Sequence, residues 1–172
     1  MKERAEFGVV VAPTEYLEVK HRFFRRVESL TRVDYLDWTV DGILVRQLFV
    51  RANPHWTEPR ECTFIPPEGP LDQWVADSVR TLLGEEGFSE SASGFGGGRV
   101  GILFCNVCAG LDCHTLSAEV VVEGNTVTWN DIGYQTDEEP FTLGDDQVGV
   151  SATFDRTQYE DVIRGVLVRA EG

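Results

Sequence analysis

Two short turn signals, each set between runs of strand-forming residues, restrict this chain to folds built on antiparallel pairing. Asp41-Gly42 separates Tyr35-Leu36-Asp37-Trp38-Thr39-Val40 from Ile43-Leu44-Val45, and such a dipeptide tolerates the positive φ angles of a tight hairpin turn. Glu123-Gly124-Asn125 does the same between residues 116–122 and 126–132, where Val120, Val122, Val127 and Trp129 can face a core. Further strands are expected over residues 7–12, ended by Pro13, over 100–104 and near 148–154. Helical spacing of Leu17, His21, Phe24 and Val27 predicts a first helix over residues 15–27. A second is marked by Leu71, Trp74, Val75, Val79, Leu82 and Leu83, with Pro70 to open it and Gly84 to stop it. A third is opened by the capping box Thr157-Gln158-Tyr159-Glu160 and buries Tyr159, Val162, Ile163, Val166 and Ala170. Strand pairs with separated helices, without regular βαβ alternation, predict one α+β domain over residues 1–172, mainly antiparallel sheet with two or three helices.

The intervening segments read as loops. Residues 52–70 hold five prolines and are expected to pack Trp56 and Phe64 onto the domain. Residues 89–98 are rich in glycine and serine but feed into a strand and lack a Lys-Ser/Thr ending, so they read as a flexible linker rather than a phosphate loop.

Charge excludes some partners. Residues 1–51 carry nine Lys/Arg against eight Asp/Glu, whereas residues 52–172 carry six against 21, which accounts for the net charge of −14. Such a field disfavours nucleic acid and anionic membranes and attracts a basic protein. No run reaches the roughly 18 apolar residues of a membrane span, and the first residues lack the apolar segment of a secretory signal, so a cytoplasmic location is expected. In that compartment the four cysteines are expected to be thiols or metal ligands rather than disulfides.

Three of them fall within nine residues, as Cys105-Asn106-Val107-Cys108-Ala109-Gly110-Leu111-Asp112-Cys113-His114. A two-residue gap lets two thiolates of one turn face a single ion, and a turn through Gly110 can return Cys113 or His114 to complete a tetrahedral zinc site. The candidate ligands are therefore Cys105, Cys108, Cys113 and His114, with Cys62 or water as the alternative fourth. The same residues admit a redox pair, with Cys105 as attacking thiol and Cys108 as resolving thiol. They also admit plain packing of small thiols at the entry to a hairpin, with His114 satisfied by a carbonyl.

That cysteine segment, followed by Leu116-Ser117-Ala118-Glu119-Val120 and by Val127-Thr128-Trp129-Asn130-Asp131-Ile132-Gly133-Tyr134, resembles a group of small uncharacterised bacterial proteins. These have a C-x-x-C-G-D-L-G-C-G core and then a Trp-containing hairpin. Tyr35-Leu36-Asp37-Trp38-Thr39-Val40-Asp41-Gly42 fits the same group, so the resemblance spans about residues 33–134. All three cysteines match, while Ala109, Gly110, Asp112 and His114 depart from the pattern, and the resemblance implies a shared fold more than a chemistry.

No Ser-His-Asp, paired-carboxylate or metal-hydrolase spacing is present, so a non-enzymatic role is expected. The charge points to an acidic binding module that masks a basic protein partner, as an immunity protein or inhibitor does, through Asp137, Glu138, Glu139, Asp145 and Asp146, with the cysteines structural. The alternative is a zinc-binding or thiol-redox protein centred on Cys105, Cys108 and Cys113; the expected cofactor is none or zinc.

Overall fold

The computed structural model describes residues 4–22, 25–57, 60–84, 95, 99–111, 113–136, 140–143 and 146–170. It shows an α+β fold with two antiparallel sheets. The first holds β1 (Phe7–Arg22), β2 (Arg25–Val40) and β3 (Ile43–Leu44), in that order. The second holds β4 (Arg99–Leu103), β5 (Thr115–Glu123), β6 (Thr126–Gln135) and β7 (Val150–Asp155), again in chain order. Helices α1 (Val45–Ala52), α2 (Gln73–Thr81) and α3 (Arg156–Leu167) complete it. Among the described residues no helix is long and apolar enough to cross a membrane.

Both hairpin turns form as the sequence predicts. Asp41 and Gly42 take φ of 50° and 74°, and Val40 pairs with Ile43. Gly124 takes φ of 55°, and Glu123 pairs with Thr126. Among the described residues the first helix is absent: residues 15–22 and 25–27 are strand, in a pairing that runs without a break from Phe7↔Val40 to Arg22↔Arg25, while Phe24 lies outside the described residues. The β-branched and aromatic residues that fell at helical spacing are also strand formers, and cross-strand partners decide between the two. Pro13 does not end β1, because β1 is an edge strand and a missing N–H facing outward costs no ladder bond.

Val45, expected in the return strand, instead begins α1, which buries Val45, Arg46 and Phe49. The caps also differ from expectation. Asp155 rather than Thr157 caps α3, accepting from the Gln158 N–H at 3.2 Å, and Asp72 caps α2, accepting from the Val75 N–H at 2.9 Å. Gly84, at φ 68°, stands just past the end of α2, where the sequence placed the stop. Apart from Phe95, the expected 89–98 linker lies outside the described residues.

One hydrophobic cluster joins both sheets to all three helices. At its centre the Phe7 ring lies 5.4 Å from Trp38, 5.2 Å from Trp129, 5.2 Å from Phe154 and 4.5 Å from Tyr159. The buried Trp129 Nε1–H donates to the Tyr159 hydroxyl at 3.0 Å, which donates to the Leu82 carbonyl at 2.9 Å, so a polar thread crosses the core fully paired. The predicted inner face of α3 holds for Tyr159, Ile163 and Val166, with Val162 half-buried and Leu167 added. Trp56 and Phe64 pack against the core from the proline-rich loop, as expected.

Candidate functional site: a three-thiol turn beside an aromatic cleft

The cysteine turn is held from two sides. Cys62 and Phe104 exchange backbone hydrogen bonds of 2.9 and 2.8 Å, which extends the line of β4 to the edge of the turn. The Phe104 ring is buried against Trp74, with centroids 5.1 Å apart. On the other side the Asn106 amide donates to the Glu15 carbonyl of β1 at 2.9 Å. Between these anchors residues 106–108 turn rather than start a helix, and the Ala109 N–H donates to the Cys105 carbonyl at 2.9 Å. Ala109 carries the positive φ of 55° that reverses the chain toward Cys113.

This reversal gathers three thiols. The sulfurs of Cys105, Cys108 and Cys113 all lie within 4.8 Å of one another, and Cys108 Sγ and Cys113 Sγ are 3.0 Å apart. Hydrogen bonding, first to Cys108 and then to Cys105, favours the protonated form and pushes the Cys113 thiol up to about 12. Cys105 is half-buried and Cys108 exposed, so the group is reachable from solvent.

Neither predicted fourth ligand joins the group. Cys62 is 1% exposed behind the Phe104 bridge, and burial pushes its thiol up to about 12, which marks it as a packed thiol. The exposed His114 ring stands edge-on to Tyr134, with centroids 5.9 Å apart. Cys105 and Cys108, the redox pair expected from sequence, both belong to the group, and Cys113 stands close enough to Cys108 to share that role.

His114 instead lines a cleft that the sequence did not reveal. A recess of about 460 Å³ is bounded by Trp56, Arg60, Glu61, Asn106, His114 and Tyr134, and a second of about 290 Å³ shares Trp56, His114 and Tyr134 with it. Its aromatic wall is fixed on every side. Trp56 and Tyr134 stack at 4.9 Å and 15°, and Phe49 meets both edge-on. The Trp56 indole donates to the Asp146 carbonyl at 2.9 Å, and the Tyr134 hydroxyl donates to Glu61 Oε2 at 2.8 Å. Burial, then the Glu61 charge, pushes the Tyr134 phenol well above its ordinary range, so it stays a donor.

The floor of the smaller recess is built on Arg99. Its buried guanidinium donates to Ser117 O and Oγ, Asp131 O and Gln135 Oε1 at 2.9–3.1 Å and lies 3.3 Å below the Phe141 ring centre. Burial lowers it to about 10. An aromatic residue in a polar, proline-rich loop was the one trace of this cleft in the sequence. Of the acidic residues singled out for a basic partner, Asp137, Glu138, Glu139 and Asp145 fall outside the described residues, and Asp146 is exposed at the rim of the smaller recess. No family model, curated protein or solved structure matches the chain.

Proposed function

We propose that this protein binds a thiophilic metal ion, zinc foremost, through Cys105, Cys108 and Cys113. The observation that carries the reading is the convergence of three sulfurs within 4.8 Å on one turn. Zinc–sulfur bonds of about 2.3 Å in a tetrahedron place sulfurs about 3.8 Å apart, a span this turn brackets. Three close thiols retain a proton until a cation replaces it, and metal uptake releases those protons. With Cys62 buried and His114 turned to Tyr134, the fourth position falls to water or an incoming ligand. The metal braces a turn that otherwise depends on the Asn106 anchor and the Phe104 bridge.

Protein purified without chelator should hold one zinc per chain and, on exchange, show the thiolate-to-cobalt charge-transfer band. Cys105→Ser, Cys108→Ser and Cys113→Ser should each abolish that stoichiometry, while Cys62→Ala and His114→Ala keep it. Four reactive thiols in unfolded protein with no metal before or after reconstitution would overturn the reading. In that event the 3.0 Å approach of Cys108 to Cys113 favours a second one, a dithiol oxidised by exchange with a disulfide. The acidic mask of a basic partner retains the charge of residues 52–172 as its support. The thiol turn is preferred because named atoms stand behind it.

A further inference from the structure

We infer that the cleft beside the thiol turn is a binding site for a small aromatic zwitterion, of the class of aromatic α-amino acids. The inference is independent of the metal. Together the two recesses have the size of a small-molecule site, which runs to roughly 300–1,000 Å³, and their shared wall of Trp56 and Tyr134 is locked by the contacts already described. A rigid aromatic wall loses little on binding and favours a flat, unsaturated ligand body.

The charges sort the ligand further. Arg60 is exposed on the larger recess and has no hydrogen bond or ion pair among the described residues. In a chain with 29 acidic residues against 15 basic ones, an exposed arginine without an acid partner among the described residues is available to an incoming anion. Its planar fork matches a carboxylate. The same recess holds the Glu61 carboxylate, kept in place by Tyr134, and Asp146 stands on the smaller recess. A simple anion would face these two carboxylates, and a simple cation would face Arg60. A ligand carrying both charges satisfies both ends, with its ring against the aromatic wall. Asn106 and His114 also line this recess and add hydrogen-bonding capacity.

Calorimetric titration tests this on the intact protein, with L-phenylalanine as zwitterion, phenylacetate as the anion alone and phenethylamine as the cation alone. Phenylalanine should bind saturably and tighter than either analogue by roughly fivefold or more. Arg60→Ala, an exposed position whose loss leaves the fold intact, should weaken phenylalanine and phenylacetate while sparing phenethylamine. Glu61→Gln, which keeps an acceptor for the Tyr134 hydroxyl, should weaken phenethylamine and phenylalanine while sparing phenylacetate. Absence of saturable phenylalanine binding, a one-charge analogue that equals it, or indifference to Arg60→Ala would each overturn the assignment. Failure of the zinc experiment would leave it standing.

Discussion

Replacing Tyr159 by phenylalanine removes one oxygen atom and should cost more stability than any other deletion of that size in the described core. The ring keeps its contacts with Phe7 and Phe154, whose centroids lie 4.5 and 5.5 Å away. What is lost is the only hydrogen-bond partner among the described residues of the buried Trp129 indole N–H, and with it the donor to the Leu82 carbonyl where α2 ends. Each buried group left unpaired costs about 1–3 kcal/mol, so the two together cost about 2–6 kcal/mol. For a chain of this size each kcal/mol moves the melting temperature by roughly 2–4 °C, which places the expected fall at about 4–24 °C. Thermal and urea unfolding of wild type and Tyr159→Phe read this directly. Trp129→Phe supplies the internal check, because in the Tyr159→Phe background the indole N–H is already orphaned and its removal should cost measurably less than in wild type. A Tyr159→Phe protein within about 0.5 kcal/mol of wild type would refute the premise that this thread is dry and fully paired.

Arg46→Met should destabilise by about 3–5 kcal/mol, because it strands the Asp37 carboxylate of a pair that lies 2.5 Å apart and almost wholly buried. Urea titration of Arg46→Met with Asp37→Asn should then recover much of the loss, since the Trp38 N–H keeps its acceptor. Gly101→Ala should weaken zinc binding without touching a cysteine. A Cβ there would stand 2.6 Å from the Phe104 ring, which must shift and carry Cys105 with it, at a cost of about 1–3 kcal/mol in unfolding measurements. Alkylation at neutral pH should modify Cys108 and spare Cys62 until the protein unfolds. The Cys62 thiol ionises near 9 when unfolded and near 12 when folded, so its contribution is intact below pH 9 and lost between pH 9 and 12. Stability profiles of wild type and Cys62→Ala should diverge across that window.

Local signals proved readable where one residue type answers one geometric demand. Asp41-Gly42 and Gly124 supply positive φ, and Gly84 stops α2, with no help from the rest of the chain. Residues 15–27 show the opposite case. Their apolar spacing suits either period, and the decision came from the register of residues 15–22 with residues 25–32, a fact of cross-strand pairing that apolar spacing does not carry. The α1 helix was hidden for a related reason, because Ile43-Leu44-Val45 continues a strand pattern by composition while the chain has only two residues to pair, Val40 with Ile43 and Thr39 with Leu44. Caps were misplaced by one turn or less, since several side chains near a helix start can accept a backbone N–H and only the backbone path selects one.

The candidate site divides along the same line. Three cysteines within nine residues announce themselves because proximity in sequence forces proximity in space, and the turn through Ala109 completes what spacing requires. A fourth ligand and a ligand cleft carry no such guarantee. Cys62 is brought to the turn only through its bridge to Phe104, and that bridge buries the thiol rather than presenting it. His114 follows Cys113 directly, yet adjacent residues at the entry to β5 point apart, and Tyr134 of β6 offers its ring a partner. The cleft draws on residues 56, 57, 60, 61, 106, 114 and 134, stretches whose meeting is set by the packing of Phe49, Trp56 and Tyr134. Nothing in any one stretch implies the others. What sequence can supply is the chemistry of the thiols; what the fold adds is that their open side adjoins a rigid aromatic wall with an exposed arginine on it.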